Sequence, residues 1–233
     1  MTRTPLDDEP RFPMSPWRFS GLVCGAAMNH RGQLAALGAA AHQPPYKAPP
    51  RGVVLYIKPR NTLTAAGGAA LVDDDVPELD VGAALGLVIG RTACAVSIDD
   101  ALDHLAGAIV VADFSAPYDS HFRPQIRFKA RDASCAFGPG VVALDEAGDI
   151  DALGVRVFVD GRLAHETSTG DRVRGAAQLI ADVSDFMTLS PGDVLLTGIA
   201  PGAPRVGAGA IVVVEIDGLG RLETRVAKVA GSP

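Results

Sequence analysis

The sequence predicts an α+β domain whose core is a rolled, mixed β-sheet with a few helices on its periphery. Two runs, residues 85–89 and 107–114, are largely apolar on both faces, which is typical of strands buried on both sides. Two later segments, 155–165 and 211–226, alternate around an Asp-Gly pair and predict hairpins, because this pair suits the positive φ of a tight turn. Strand signals therefore outnumber helix signals.

The other elements follow in chain order. Residues 21–27 and 53–57 are small, apolar or β-branched and predict strands, whereas the alanine-rich residues 33–41 predict a short helix. A capping-box pattern that begins at Ser97 predicts a helix over 101–105.

A longer helix is predicted between the two hairpins, over residues 172–186. Its apolar residues recur at the three- and four-residue spacing of a buried helix face. They are Ala176, Leu179, Ile180 and Val183. This stripe predicts that the helix packs against the β core.

The composition indicates one large soluble domain. The chain has 233 residues with 48% hydrophobic content, enough to bury a substantial core. A formal charge of −6 argues against nucleic acid as a partner, and a small anionic substrate would need cations that cluster locally. No apolar run reaches the ~20 residues of a membrane span, so no membrane partner is expected.

The amino terminus and the cysteines predict the compartment. Residues 1–17 mix acids and prolines where a signal peptide needs an apolar run, so we expect a disordered leader before a domain of residues 18–233. Cys24, Cys94 and Cys135 show neither C-x-x-C spacing nor an even number. Reduced thiols in the cytoplasm are the expectation.

Residues 188–202, TLSPGDVLLTGIAPG, combine a turn, a strand and a glycine-flanked loop. The Pro-Gly-Asp triplet predicts a tight turn, so residues 194–196 begin abruptly as a buried strand. Thr197 and Gly198 end that strand, where main-chain groups can approach a small ligand.

This segment, TL-x-PGD-x-x-x-TG, resembles the fumarylacetoacetate hydrolase family, and three further motifs follow in the family's order. They are KPRNT at 58–62, LGLVIGRTA at 85–93 and RFKARD at 127–132. The resemblance covers about residues 21–229 and implies a fumarylacetoacetate hydrolase-like fold. NHR-x-QL, YKAPP and IKPRNT resemble the amino-terminal half, or subunit, of the family's isomerases/decarboxylases of 4-hydroxyphenylacetate breakdown.

The family's metal pair is missing. Metal-binding members carry Glu-x-Glu just before the apolar strand, where alternate residues share a face and can grip Mg²⁺. This chain has Gly82 and Ala84 there. Glu78 and Asp80 repeat the spacing, but four strand residues are about 13 Å, which predicts that they lie outside the site. No firm cofactor is expected; a weak Mg²⁺ site that depends on substrate oxygens is the remaining metal alternative.

The third carboxylate of the family pattern is retained as Asp113. A carboxylate at the end of a buried strand needs a partner, so Asp113 is a catalytic candidate or a residue that caps a turn or pairs with Lys129. The family's water-activating His and Glu correspond to Gln33 and Ala36, which argues against hydrolysis. His30 is predicted to hydrogen-bond at the head of a short helix.

The remaining candidates are cations and hydrogen-bonding groups. Arg123, Arg127, Lys129 and Arg131 are all odd-numbered and project to one side where the chain is extended; Lys58 and Arg60 repeat this spacing. Lys129 matches the family's active-site lysine. A solvated basic face is the alternative for Arg123 and Arg127, and a helix start is the alternative for residues 167–169. The predicted catalytic residues are Lys129, Asp113 and Arg131; the predicted substrate-binding residues are Arg60, Arg123, Thr197, Gly198 and Thr169.

The resemblance implies a substrate such as 5-carboxymethyl-2-hydroxymuconate, which reacts through a dienolate. Lys129 and Arg131 would hold the carboxylate and enolate, with Asp113 or a bound water moving the proton. Because decarboxylation in this family uses a divalent ion, the missing glutamates favour isomerisation. One alternative is a non-catalytic subunit beside a metal-bearing family member, and another is an acylpyruvate-type hydrolase, disfavoured by the missing dyad and metal pair. A homodimer or such a hetero-oligomer is expected.

Overall fold

The structure is a computed structural model that describes residues 4–5, 21–118, 120, 122 and 126–229. Of the predicted leader it describes only Thr4 and Pro5, which pair with Gly140–Val141, and the other leader residues lie outside the described residues. The leader therefore stays a prediction. Within the described ranges, no helix is long and apolar enough to cross a membrane.

Strands dominate, as predicted. In chain order they are β1 (Thr4–Pro5), β2 (Val23–Ala27), β3 (Val54–Lys58), β4 (Leu63–Thr64), β5 (Ala69–Val72), β6 (Glu78–Ile89), β7 (Leu105–Ser115), β8 (Cys135–Phe137), β9 (Gly140–Val141), β10 (Gly154–Val159), β11 (Arg162–Ser168), β12 (Val194–Leu196), β13 (Arg205–Gly207), β14 (Ile211–Ile216) and β15 (Gly220–Lys228).

Two mixed sheets contain most of these strands. The larger one has the order β3-β2-β12-β6-β7-β8-β4, with β13 paired to one end of β6. The smaller one has the order β11-β10-β14-β15-β5 and includes both predicted hairpins. Strands β12 and β2, β4 and β8, and β15 and β5 run parallel, and the other pairs are antiparallel. The α+β class and the mixed β core are confirmed.

The helices are short and peripheral. They are α1 (Arg31–Leu37), α2 (Ile126–Lys129), α3 (Leu144–Ala147) and α4 (Ala176–Ser184). Helix α4 is shorter than predicted, but the whole predicted stripe is buried against the core. The helix predicted over 101–105 is a 3₁₀ turn, Ala101–His104, although Ser97 Oγ does accept from the amide of Asp100 as a capping box requires.

The antiparallel pair β6 and β7 divides two apolar clusters. Residues Val81, Leu85 and Leu87 of β6 face the larger cluster, whereas Ala84 and Val88 face the smaller one. This alternation follows from the two-residue period of a strand. It places Gly82 on the face of Ala84, and Gly82 lies directly opposite Asp113 in the ladder.

Candidate active site

A cavity of about 250 Å³ opens beside the β6–β7 pair. Its polar lining comes from several elements: Gln33, Tyr56, Asp80, Ser115, Tyr118, Lys129 and Arg205. The apolar wall comes from the end of β2 and from the loop after β12, residues 199–203. A mixture of apolar walls and a few converging polar groups is typical of a small-molecule site.

A buried charge cluster lies beneath this cavity. The carboxylate of Asp113 is fully buried; its Oδ1 lies 2.7 Å from Lys58 Nζ and its Oδ2 lies 3.0 Å from Lys129 Nζ. The hydroxyl of Tyr56 donates to Oδ2 at 2.5 Å. Two ammonium groups therefore surround one carboxylate, and with both protonated the cluster carries a net positive charge.

The two lysines have different surroundings. Lys58 Nζ donates to the carbonyl oxygens of Phe114, Lys129 and Ser134 and contacts Ser134 Oγ, at 2.7–3.1 Å. It is enclosed by protein acceptors. Lys129 instead lies in the cavity wall, with its Nζ 4.5 Å from the ring centroid of Tyr56. Of these two lysines, Lys129 is the one placed to touch a ligand.

Burial and charge shift the pKa values of this cluster. Burial would raise the pKa of Asp113, but Lys129 and Lys58 outweigh it and hold the pKa below its ordinary value of 3.8. Burial lowers the pKa of Lys129 below 10.5 despite the attraction of Asp113. Burial, followed by the charge of Asp113, raises the pKa of Tyr56 well above 10.0. Asp113 therefore stays an anion and Tyr56 stays a hydrogen-bond donor. Lys129 loses its proton more readily than an exposed lysine does.

The residues at the family's metal positions do not fit a divalent ion. A Cβ at position 82 would lie 2.4 Å from Ile199 Cδ1 and 2.8 Å from the carbonyl oxygen of Asp113, so Ile199 fills the space beside Gly82. Ala84 is buried in the smaller apolar cluster. Across the described ranges, no three His, Cys, Asp or Glu side chains are grouped as a metal site would need. Lysine ammonium groups occupy the contacts of Asp113 instead.

The cations at positions 127, 129 and 131 do not project to one side as predicted. Residues 126–129 form helix α2, so alternate residues do not share a side, and the prediction that Lys129 and Arg131 share one pocket is wrong. Arg131 pairs with Asp73 and, with the exposed Arg127, lines a second cavity of about 510 Å³. Arg123 lies outside the described residues.

The four predicted substrate-binding residues that the structure describes do not line this cavity. Thr197 is buried and its hydroxyl donates to the carbonyl of Leu85 at 3.2 Å, while Gly198, at φ +111°, packs against Asn29. Thr169 accepts a hydrogen bond from the amide of Leu153 at 2.7 Å. These three residues have structural partners. Arg60 is exposed in a 3₁₀ turn, Arg60–Thr62. Their substrate roles stay predictions.

Asp80 was predicted to lie outside the site, but it lines the cavity. The prediction assumed a site compact around position 82, but β13 pairs with β6 at Asp80 and brings Arg205 alongside, which extends the cavity along the strand. Tyr56 and Arg205 were missed as site residues. Tyr56 had one signal: it stands two residues before Lys58 and therefore shares its strand face.

The histidine at the start of α1 has the structural role that the sequence predicted. His30 caps α1, with Nδ1 accepting from the amide of Gly32 at 3.0 Å and Nε2 lying 3.2 Å from Thr167 Oγ1. Gln33, at the position of the family's histidine base, lines the cavity instead. Its Oε1 is buried and has no hydrogen-bond partner among the described residues.

Comparisons with known proteins agree with this architecture. Residues 22–227 match the family described as fumarylacetoacetate (FAA) hydrolase C-terminal. The chain is 38% identical over 206 residues to the 4-hydroxyphenylacetate degradation bifunctional isomerase/decarboxylase of Escherichia coli, covering 88% of this chain and 47% of that protein. It therefore spans about half the length of this curated relative.

Two solved structures share the fold. The 5-carboxymethyl-2-hydroxymuconate delta-isomerase of Mycobacterium smegmatis superposes with a TM-score of 0.77 at 24% identity, covering 91% of this chain and 81% of the other. The fumarylpyruvate hydrolase of Pseudomonas aeruginosa, in complex with Mn²⁺ and pyruvate, has a TM-score of 0.76 at 23% identity and covers 90% of each chain.

Proposed function

The chain belongs to the fumarylacetoacetate hydrolase family, and on that basis we propose that it isomerises 2-hydroxymuconate-type acids, with 5-carboxymethyl-2-hydroxymuconate as the type substrate. The reaction moves a proton from the 2-hydroxyl to C5 and gives the 2-oxo-3-ene acid. The E. coli relative is named a bifunctional isomerase/decarboxylase of 4-hydroxyphenylacetate degradation, and the M. smegmatis structure is named a 5-carboxymethyl-2-hydroxymuconate delta-isomerase. The proposed location is the cytoplasm.

One observation carries the proposal: the ammonium of Lys129 lies in the cavity wall above a buried carboxylate. A dienolate develops negative charge on its 2-oxygen, and a preorganised cation in a poorly solvated site stabilises that charge. Asp113 does not line the cavity but positions the ammonium, and Tyr56, which does line the cavity, donates to that carboxylate and fixes it in turn.

The proton balance of the step is simple. The ammonium of Lys129 first gives a proton to solvent, a step that its lowered pKa favours, and the neutral amine then takes the proton of the 2-hydroxyl, so the O–H bond breaks and the dienolate pairs with the restored ammonium. The C2–O bond then becomes a double bond, the C2–C3 double bond moves to C3–C4, and the electron pair of the C4–C5 double bond takes a proton at C5. Tyr118 is our candidate for this acid, because it lines the cavity and burial raises its pKa to about 12, which keeps it protonated. Solvent returns the lysine proton to the phenolate.

The arrangement favours isomerisation over the other family reactions. Decarboxylation of a 2-oxo acid is assisted by a metal that chelates the oxo and carboxylate oxygens. The Gly82–Ile199 contact leaves no place for the family's first glutamate. Hydrolysis needs a base that activates water, and Gln33 stands in the position of that base.

A second candidate is a structural subunit that assembles with a metal-bearing family member. The observation in its favour is that Gly82 and Ala84 stand at the family's metal-binding glutamate positions. The partner would then be a second chain of the same fold. A homodimer is the corresponding assembly for the isomerase proposal.

The test is turnover by the isolated chain after treatment with a chelator, followed by the ultraviolet absorbance of 5-carboxymethyl-2-hydroxymuconate. Turnover without metal is the expected result. Turnover that returns only with a divalent ion would contradict the metal-free mechanism. Turnover that returns only with a family member carrying Glu-x-Glu would establish the subunit alternative.

A further inference from the structure

An arginine and an aspartate line the cavity opposite one another on paired strands. Arg205 is the first residue of β13, and Asp80 is its direct partner on β6. The guanidinium Nε donates to Asp80 Oδ1 at 2.9 Å. Both residues line the cavity that contains Lys129.

This pair lies at the exposed end of the cavity. The side chain of Arg205 is 52% exposed and that of Asp80 is 26% exposed, whereas that of Lys129 is 3% exposed. Asp80 faces Ser115 across the β6–β7 ladder, and Gly82 faces Asp113. Asp80 and Gly82 are two strand residues apart, so the Arg205–Asp80 pair and the Asp113 cluster lie at levels of the sheet that are roughly 7 Å apart. This span is comparable with the separation of the two terminal carboxylates of an extended muconate.

The chemistry of the pair suits a carboxylate. Guanidinium is planar and binds carboxylates as a fork, and its bond to Asp80 fixes the plane of the group. A monocarboxylate bound at Lys129 has no second carboxylate to place at this level of the cavity. Without Arg205, the negative charge of Asp80 would meet a second substrate carboxylate and repel it.

We propose that Arg205, positioned by Asp80, binds a second carboxylate of the substrate and makes the cavity selective for dicarboxylic and tricarboxylic acids over monocarboxylic ones. The inference rests on the proposed function in naming the substrate class. The pair itself is a binding site whether or not the isolated chain turns the substrate over.

Binding of a matched ligand pair tests the proposal without requiring activity. Trans,trans-muconate and sorbate share one carbon skeleton and differ by one carboxylate, and isothermal titration measures both dissociation constants. We expect the unaltered chain to prefer muconate and Arg205→Gln to lose about 10- to 100-fold of that preference, as for a hydrogen-bonded charge. Arg127→Gln removes the same charge outside the cavity and is the control.

The double variant separates binding of the carboxylate by Arg205 from repulsion of the carboxylate by Asp80. Asp80→Asn with Arg205→Gln removes the repulsion as well as the guanidinium, so part of the lost muconate affinity should return. An equal preference for muconate and sorbate in the unaltered chain would overturn the proposal, as would an unchanged preference in Arg205→Gln. Failure of the proposed isomerisation is visible separately, as absent turnover with intact muconate selectivity.

Discussion

Two ion clusters in the described part of the chain have opposite charge balance and opposite setting, because one anion lies between two cations in the first and one cation lies among three anions in the second. In the larger sheet, Asp113 lies between Lys58 and Lys129 with side chains 0–3% exposed. In the smaller sheet, Arg156 contacts Glu166, Glu215 and Asp217, which are 23–59% exposed. Both clusters join residues distant in sequence, but water reaches only the second one freely.

The comparison shows where charge can acquire a chemical role. Water screens the Arg156 cluster, so its pairs contribute little to stability. The Asp113 cluster is desolvated, and its hydrogen bonds from Tyr56 and to the carbonyls around Lys58 satisfy the charges that burial would otherwise penalise. Its remaining ammonium, Lys129, is therefore both stable in the protein and shifted in pKa.

The largest expected effect comes from removing the ammonium in the cavity wall. Lys129→Met keeps the length and packing of the side chain but removes the base and the cation. We expect kcat for 5-carboxymethyl-2-hydroxymuconate to fall about 100- to 10,000-fold, the usual range for an acid-base residue. Arg127→Met, two residues earlier on α2, is the matched control, and circular dichroism checks the fold. Full activity in Lys129→Met would contradict the mechanism.

Removing the central carboxylate of the buried cluster should lower the free energy of unfolding. Asp113→Asn leaves Lys58 and Lys129 without their counter-ion, and breaking a buried pair in this way costs about 3–5 kcal/mol. Urea unfolding measures the free energy of unfolding. Asp217→Asn makes the same chemical change in the exposed cluster and should cost less than about 1 kcal/mol. Equal losses in the two variants would refute the contrast between the clusters.

The pH dependence of the same variant's stability tests the lowered pKa of Asp113. A carboxyl whose folded pKa lies below its unfolded pKa stabilises the fold above the unfolded value, and this contribution is lost as the pH falls through the folded value. The pKa of Asp113 is lowered from 3.8. The stability difference between the unaltered chain and Asp113→Asn should therefore shrink as the pH falls below 3.8. A difference that stays constant through this range would exclude a lowered pKa.

A methyl group at Gly82 tests how tightly the cavity floor is closed against a metal ligand. Gly82→Ala would bring its Cβ into Ile199 Cδ1 and the carbonyl of Asp113, and overpacking of this kind costs about 1–3 kcal/mol. Ile199→Val removes the first of these atoms, so the cost should be smaller in that background. A double-mutant cycle measures the coupling. Additive effects would show that Ile199 does not close the site.

The sequence predicted most of the fold because the strands are long and strongly patterned. Strand β12 has the predicted bounds, and the two hairpins turn at the predicted Asp-Gly pairs. Helix α2 could not be predicted from periodicity, since it is a single turn whose last carbonyl, that of Lys129, accepts from Lys58. That contact joins residues 71 positions apart in the chain.

The pairing of Asp113 with Lys129 could be predicted from motifs, whereas the part of the cavity wall that tertiary pairing assembles could not. Asp113 and Lys129 stood in motifs that resemble the family's, and the structure places them in contact. Arg205 belongs to a short strand that pairs with one end of β6, and nothing in its local sequence marks it as a neighbour of Asp80. Short-range patterns specify elements, whereas the wall of a cavity depends on which elements meet.

The smallest expected effect completes the contrast between the clusters. Arg156→Gln removes the centre of the exposed network, yet each of its partners stays hydrated, so the free energy of unfolding should fall by less than about 1 kcal/mol. The loss should also shrink as salt is added, because salt screens exposed charges, whereas the loss in Asp113→Asn should stay nearly constant. Urea unfolding at low and high ionic strength measures both. A salt-sensitive Asp113→Asn would mean that water reaches the carboxylate, and the shifted pKa of Lys129 would then lose its physical cause.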